Sequence, residues 1–179
     1  DTSEIGRLQL LHEQTLLVRG GVVSSDKLIN LLQAYSSEQA NSVWGIMSLA
    51  FGELKKFVES NEEAEQKLKE LAIRLAKPQF ERLGWQIVDG EDESDTKLRS
   101  LIIGMMMYGE DENVRAHAQE LFEGGIENID PEVRSLVIGS VVKSSKDIEL
   151  TSDLLQKYRS TQSADLREDI CSGLTSARQ

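Results

Sequence analysis

Apolar residues recur at i, i+3 and i+4 through almost the whole of this 179-residue chain. That period admits one regular structure, the amphipathic α-helix. From Glu4 to Arg19, residues Leu8, Leu11 and Val18 share a face, and Gly20-Gly21 ends the run. Ser25 caps a short helix carrying Leu28, Leu31 and Leu32. Ser36 or Ser37 opens a long third helix with Val43, Ile46, Met47, Ala50, Leu54, Phe57 and Val58 on its stripe. Asn61 opens a fourth, with Leu68, Leu71, Ala72 and Leu75 inward. Pro78 is expected to kink or break that helix, because it lacks an N–H and clashes with the preceding turn.

Trp85 to Glu93 reads as an acidic loop, after which Ser94 or Asp95 caps a helix with Leu98, Leu101, Ile102 and Met105 inward. Gly109 stops it, and Asp111 starts a partner through Val114, Ala118, Leu121 and Phe122 that ends at Gly124-Gly125. Asp130-Pro131 is a strong start signal, since proline suits the first helical turn. Val133, Leu136, Val137 and Val141 follow, and helices over Asp147 to Tyr158 and Ser163 to Leu174 complete the set. The expected fold is all-α, with antiparallel helical hairpins stacked as an αα superhelix of the HEAT or armadillo kind, a bundle around a single core being the alternative. From Ser94 onward the hairpins start roughly 30–40 residues apart, the spacing of stacked αα repeats. Residues 1–179 are expected to form a single helical-repeat domain.

Charge narrows the partners. Lys and Arg number 20 against 31 Asp and Glu, a net −11. Such a surface repels phosphate backbones and anionic lipid, so neither nucleic acid nor membrane is an expected partner. The apolar stretch from Leu101 to Tyr108 is far too short to span a bilayer. The single cysteine, Cys171, cannot form an internal disulfide and suits a reducing, cytoplasmic setting. Its apolar neighbours on a helix mark it as a small buried hydrophobe. The chain begins at Asp1 and not at Met, and is read as a piece of something larger.

The string His12-Glu13-Gln14-Thr15-Leu16 begins like H-E-x-x-H, in which two histidines at i and i+4 share a helix face and bind zinc, with the glutamate as base. Leu16 stands in the second position, and one imidazole cannot hold a catalytic zinc. His12 is therefore read as a half-buried helix residue, and His117 is remote in sequence. No G-x-S-x-G elbow or P-loop occurs, and Cys171 with His117 lacks a nucleophile signature. The acidic pairs Glu91/Asp92 and Glu110/Asp111 sit beside helix starts, where dipole compensation and solvation account for them. Met105, Met106 and Met107 are read as core packing, and Trp44 as a core anchor. Neither a catalytic nor a metal site is expected in this chain.

The order of segments resembles the helical C-terminal domain of the gluzincin zinc aminopeptidases, the aminopeptidase N and endoplasmic-reticulum-aminopeptidase-like family, in its bacterial members. Arg7-Leu8-Gln9-Leu10-Leu11-His12-Glu13 with Leu17-Val18-Arg19-Gly20-Gly21 is similar to the opening of that domain. Lys27 through Tyr35 resembles its A-L-x-L-x-x-Y-L helix. Glu38 and Ser42-Val43-Trp44 stand at the family's step into a long helix, with the proline of that step replaced. Lys97-Leu98-Arg99-Ser100, Asn128 through Arg134 and Leu166-Arg167 with Ile170 through Leu174 resemble three later segments.

The resemblance implies a parent zinc metallo-aminopeptidase that removes N-terminal residues from peptides. Its zinc lies in a preceding catalytic domain absent here, so this chain needs no cofactor of its own and is inactive when isolated. The implied role is a non-catalytic C-terminal domain that walls the peptide-binding cavity and closes over the catalytic domain. The implied partners are that domain and the peptide substrate. A basic residue on the long third helix can face the cavity in related enzymes, and Lys55 stands at the matching position, with Leu54 where some members carry an aromatic. Lys55 beside Lys56 is otherwise a solvated pair. The family domain is longer than this chain, so an apolar patch on the helices after Asp147 and self-association of the fragment are expected. The rival reading is a stand-alone helical-repeat adaptor that binds another protein, which calls for polar capping repeats.

Overall fold

Capping chemistry sets most of the helix boundaries. In the computed structural model, which describes residues 3–145 and 147–176, the first helix, α1, runs Glu4–Arg19. Ser3 Oγ accepts from the Gly6 amide at 3.2 Å, and Gly20 closes the helix. The others are α2 (Ser25–Gln33), α3 (Asn41–Val58), α4 (Glu62–Leu83), α5 (Glu93–Tyr108), α6 (Glu112–Glu123), α7 (Pro131–Ser144), α8 (Ile148–Ser160) and α9 (Ala164–Ser176). A 3₁₀ turn at Ile126–Asn128 precedes α7. No strand occurs among the described residues, so the fold is all-α. Asn61, Asp111, Asp130 and Asp147 each accept a backbone amide at the start of α4, α6, α7 and α8, which supplies a partner to donors that have none within the helix.

Three starts differ from the sequence expectation. Ser25 is the first residue of α2 and not its cap, a position that Ser24 takes without a side-chain hydrogen bond. The third helix begins at Asn41 and not at Ser36 or Ser37, and its N-cap residue Ala40 offers no side-chain acceptor. The fifth is capped by Asp92, whose Oδ1 accepts from Ser94 N at 2.7 Å, two residues before Ser94 and three before Asp95. Pro78 does not end its helix, for α4 continues to Leu83. Interior proline costs about 3 kcal/mol. Leu75, Ala76, Gln79 and Leu83 on either side of it are all buried, and several kcal/mol of burial offset that cost.

The chain forms two compact units, Asp1–Gly109 and Glu110–Gln179. In the first, α1 packs on α2 and α3, and α5 packs on α3 and α4. Its core holds Leu11, Leu28, Leu32, Val43, Trp44, Met47, Leu54, Leu75, Leu98, Ile102 and Met106. In the second, α7 packs on α6 and α9, and α8 on α9. Val137, Ile138, Leu154, Leu166 and Ile170 are buried there. The α7–α9 contact is close because glycines meet it from both sides. A Cβ built on Gly173 would lie 2.6 Å from Ile138 Cγ2 and 2.7 Å from its Cβ, and one on Gly139 would lie 2.6 Å from Ser176 Oγ.

Three side chains face the other way from their expectation. Cys171 is exposed, because Ile170 takes the inward position on α9 and one residue further turns the chain outward. His12 is exposed rather than half-buried, because Leu11 and Thr15 occupy the inner face of α1. Phe57 is exposed although Leu54, one turn earlier on α3, is fully buried.

Candidate functional site

The last turn of α3 carries Lys55 and Lys56, where the carbonyl end of the helix favours positive charge. Lys55 is exposed, and its Nζ lies 5.0 Å from the centroid of the Tyr108 ring, at the end of α5. Tyr108 in turn meets Phe51 edge to face, with centroids 6.4 Å apart. The ring therefore stands between the buried Phe51 ring and a cation, and such a cation contact at an exposed site contributes about 0.5–1 kcal/mol. Lys56 pairs with Glu53 at 2.9 Å on the helix surface. Leu54 points into the core, so the aromatic neighbour of Lys55 comes from another helix and not from the adjacent position.

A polar chain anchors the other end of α3. Glu38, 6% exposed, accepts from Arg7 Nε at 2.6 Å and from Arg7 Nη2 at 3.0 Å. The same carboxylate accepts the amides of Gln39 at 3.0 Å and Ala40 at 2.9 Å, the two residues before α3, and so fixes the turn from which that helix starts. The Glu38 carbonyl accepts Trp44 Nε1 and Gln79 Nε2, both at 2.9 Å. Gln79 Oε1 accepts from Arg82 Nε at 2.8 Å, and Arg82 forks onto both oxygens of Asp95 at 2.7 Å. One hydrogen-bonded chain thus ties α1, the α2–α3 turn, α4 and α5 together.

The acidic loop after α4 is clasped rather than merely solvated. Arg99 is buried on α5 and donates to Glu91 Oε1 at 2.6 Å and to the Leu83 carbonyl at 3.2 Å. Glu91 also accepts the Val88 amide and the Thr96 hydroxyl. The Arg99 hydrogen bonds lower the Glu91 carboxyl below its ordinary range, against its own desolvation. Burial pushes the Glu38 carboxyl up, but the Arg7 and amide hydrogen bonds outweigh it and leave the group lowered. A carboxylate whose folded value is depressed stabilises the fold above its unfolded value, and that stability is lost as pH falls through the folded value. Acid unfolding of the wild type is therefore expected to begin below the ordinary 4.5 of Glu38. In Glu38→Gln the acid limb of a stability–pH curve, measured by urea titration, should be shallower. A limb unchanged by the substitution would remove Glu38 from the titrating set.

The remaining candidates are scattered. His117 Nδ1 lies 3.1 Å from Glu120 on α6, while His12 sits on α1, and Leu16 is exposed one turn beyond His12. Among the described residues no group of three or more His, Cys, Asp or Glu side chains is placed to hold a metal ion. The donor set at His12 thus does not fit zinc, and no step of a reaction is assigned to it. No helix of the described residues is long and apolar enough to cross a membrane. Tyr108 and the Arg7–Glu38–Gln79–Arg82–Asp95 chain were not visible as partners in the sequence. Glu38 and Gln79 are polar residues beside apolar stripes, which is the one signal that marks them as buried.

The family model of the ERAP1-like C-terminal domain matches residues 1–179 of this chain. Aminopeptidase N of Lactococcus lactis subsp. lactis (strain IL1403) is 27% identical over 169 residues, which cover 93% of this chain and 20% of the relative. Aminopeptidase N of Lactobacillus helveticus is 28% identical over 177 residues, 97% of this chain and 21% of the relative. Aminopeptidase 2 of Candida albicans (strain SC5314 / ATCC MYA-2876) is 24% identical over 164 residues, 89% of this chain and 18% of the relative. The chain spans about a fifth of the length of the curated relatives it matches.

Proposed function

This chain belongs to the ERAP1-like C-terminal domain family, and from that premise we propose that it is a non-catalytic domain of a zinc aminopeptidase that walls the peptide cavity and closes over the catalytic domain. Lys55 is the residue proposed to meet substrate there, through the C-terminal carboxylate of a bound peptide. The observation that carries this role is the placement of its exposed ammonium over Tyr108 at the carbonyl end of α3. Ring and helix end both attract the cation, so it is presented in a restricted direction and less side-chain entropy is lost on binding. The acidic surface and lone cysteine suit a cytoplasmic parent enzyme. The stand-alone adaptor calls for polar capping helices. An apolar groove on α8 and α9 favours the larger assembly instead.

The test uses the parent enzyme, with its catalytic domain in place. A partly desolvated ammonium–carboxylate contact contributes about 1.5–3 kcal/mol, and less where water reaches it. Lys55→Ala is therefore expected to raise KM about tenfold for peptides with a free C-terminus. Single-residue amides and C-terminally amidated peptides should be unaffected, and Lys55→Arg should retain most of the effect. Equal changes for all substrates, or none, would leave Lys55 as a surface charge.

A further inference from the structure

The loop between α4 and α5 carries a chemically reactive pair beside the clasp on Glu91. Asp89 is the one aspartate in the sequence that precedes a glycine, and both Asp89 and Gly90 are exposed. They stand at the two central positions of the four-residue turn Val88–Glu91. The Glu91 amide donates to the Val88 carbonyl at 2.9 Å, and Gly90 has φ +82°. That is the type II arrangement, which calls for glycine at its third position. A Cβ built on Gly90 would meet no other part of the chain within 4 Å, and without one the amide nitrogen is open to approach.

These two residues can close a five-membered ring. The Gly90 nitrogen attacks the Asp89 carboxyl carbon, Cγ. An N–Cγ bond forms, and the carboxyl oxygen leaves as water with the amide proton. Solvent water then opens the succinimide. Attack at Cγ returns aspartate. Attack at the Asp89 main-chain carbonyl carbon breaks its bond to the Gly90 nitrogen and leaves the chain running through Cβ and Cγ, which is isoaspartate. One water leaves and one enters, so the mass is unchanged and no other reactant is needed. A type II turn, with ψ of about +120° at its second position, holds that nitrogen away from the carboxyl, so the peptide plane must first turn over. Glycine at 90 permits this. The fastening of the turn resists it. The Val88 amide donates to Glu91 Oε2 at 3.2 Å, and Arg99 and Thr96 hold the same carboxylate.

We propose that Asp89 is a site of spontaneous isomerisation, timed by the Arg99–Glu91 clasp and in turn undoing it. The clasp sets the rate, because the peptide plane turns over only while Glu91 is loose. Isoaspartate adds one methylene to the main chain between Val88 and Gly90, so the turn no longer returns Glu91 to Val88 and Arg99. Arg99 is 3% exposed and would keep only the Leu83 carbonyl. A buried cation that loses its carboxylate is strongly destabilising, so the converted loop stays open. This site is independent of Lys55 and of any peptide bound there.

The protein is aged for weeks in neutral buffer at physiological temperature. Trypsin, cutting after Arg82 and Lys97, releases residues 83–97 with Asp89, Asp92 and Asp95 in one peptide. Electron-transfer fragmentation locates isoaspartate in it, and labelling by an isoaspartyl methyltransferase counts it. Isoaspartate is expected at 89 and not at 92 or 95. Asp89→Glu keeps the charge and should abolish it, since the longer side chain closes a six-membered ring far more slowly. Glu91→Gln should speed conversion roughly threefold to tenfold, because a charge-assisted bond to Arg99 is about twice as strong as a neutral one. Thr96→Val removes another donor to Glu91, leaves the guanidinium alone, and should act in the same direction. Helix content by circular dichroism should match the wild type in every variant before ageing. Amide hydrogen exchange over residues 84–95 should rise with the converted fraction and stay constant in aged Asp89→Glu. Absence of isoaspartate at 89 overturns the proposal. So does a rate that neither Glu91→Gln nor Thr96→Val changes, or exchange that does not follow conversion.

Discussion

Trp44→Ala is expected to lower the stability of the first unit by about 3–5 kcal/mol, the range for deleting a buried tryptophan. Trp44 has no solvent exposure. It is surrounded by the contacts of α3 with α1, α4 and α5, so little can collapse into the space it leaves. The indole also donates to the Glu38 carbonyl at 2.9 Å. That carbonyl keeps Gln79 as a donor, so it is not orphaned, and the loss is mainly one of packing. Trp44→Phe separates the parts: it keeps most of the volume, lacks the N–H, and is expected to cost about 1–2 kcal/mol. Urea titration followed by Trp85 fluorescence reads both. A loss under 1 kcal/mol for the alanine variant would mean that Trp44 does not anchor this core.

Gly173→Val is the second large effect, about 3 kcal/mol in the other unit, from overpacking rather than from a cavity. The new Cβ would meet Ile138 Cγ2 at 2.6 Å and Ile138 Cβ at 2.7 Å, and the Ser135 carbonyl oxygen at 3.1 Å. Ile138 is fully buried and branched at the atom in question, so no rotation relieves the overlap, and α7 and α9 must separate. Gly139→Ala makes an instructive control. Its Cβ would meet only the end of the Ser176 side chain closer than 3.4 Å, and that hydroxyl can turn away. The gain in helix propensity, about 1 kcal/mol, should leave Gly139→Ala near neutral. Amide hydrogen exchange on α7 and α9 distinguishes the two. Equal protection in both variants would contradict the steric account.

The helical character of the chain could be read from its period alone, and so could most starts marked by a residue that caps with its own side chain, Asp92 before α5 being the exception. Asn61, Asp111 and Asp130 are of the kind that could be read. The start of α3 could not, because no side chain caps it and the turn before it is held by Glu38, which is fixed there by Arg7 far back in the chain. Pro78 does not break α4 for a related reason: the rule weighs the local cost of proline, whereas the buried residues flanking it belong to contacts with other helices. Cys171 was placed inside because its neighbours are apolar, and a helix turns about 100° from one residue to the next. Lys55 entered through resemblance to a family, while its partner Tyr108 is set by the packing of α5 on α3, which no local pattern encodes.

The hydrogen-bonded chain from Arg7 through Glu38, Gln79 and Arg82 to Asp95 bears on how this sequence can drift. Neighbours in such a chain couple by about 0.5–3 kcal/mol, so the effect of changing one depends on which residues hold the next positions. A lysine at 82 would surrender the fork onto Asp95, and the vacancy would be felt first at Gln79. Substitutions tolerated at these positions should therefore arrive together, as inherited blocks. Because Gln79 meets residue 38 at its backbone carbonyl, the blocks are Arg7 with Glu38 and Gln79 with Arg82 and Asp95. Two lineages that settled on different blocks would yield unstable hybrids when recombined between α1 and the α2–α3 turn or between α4 and α5.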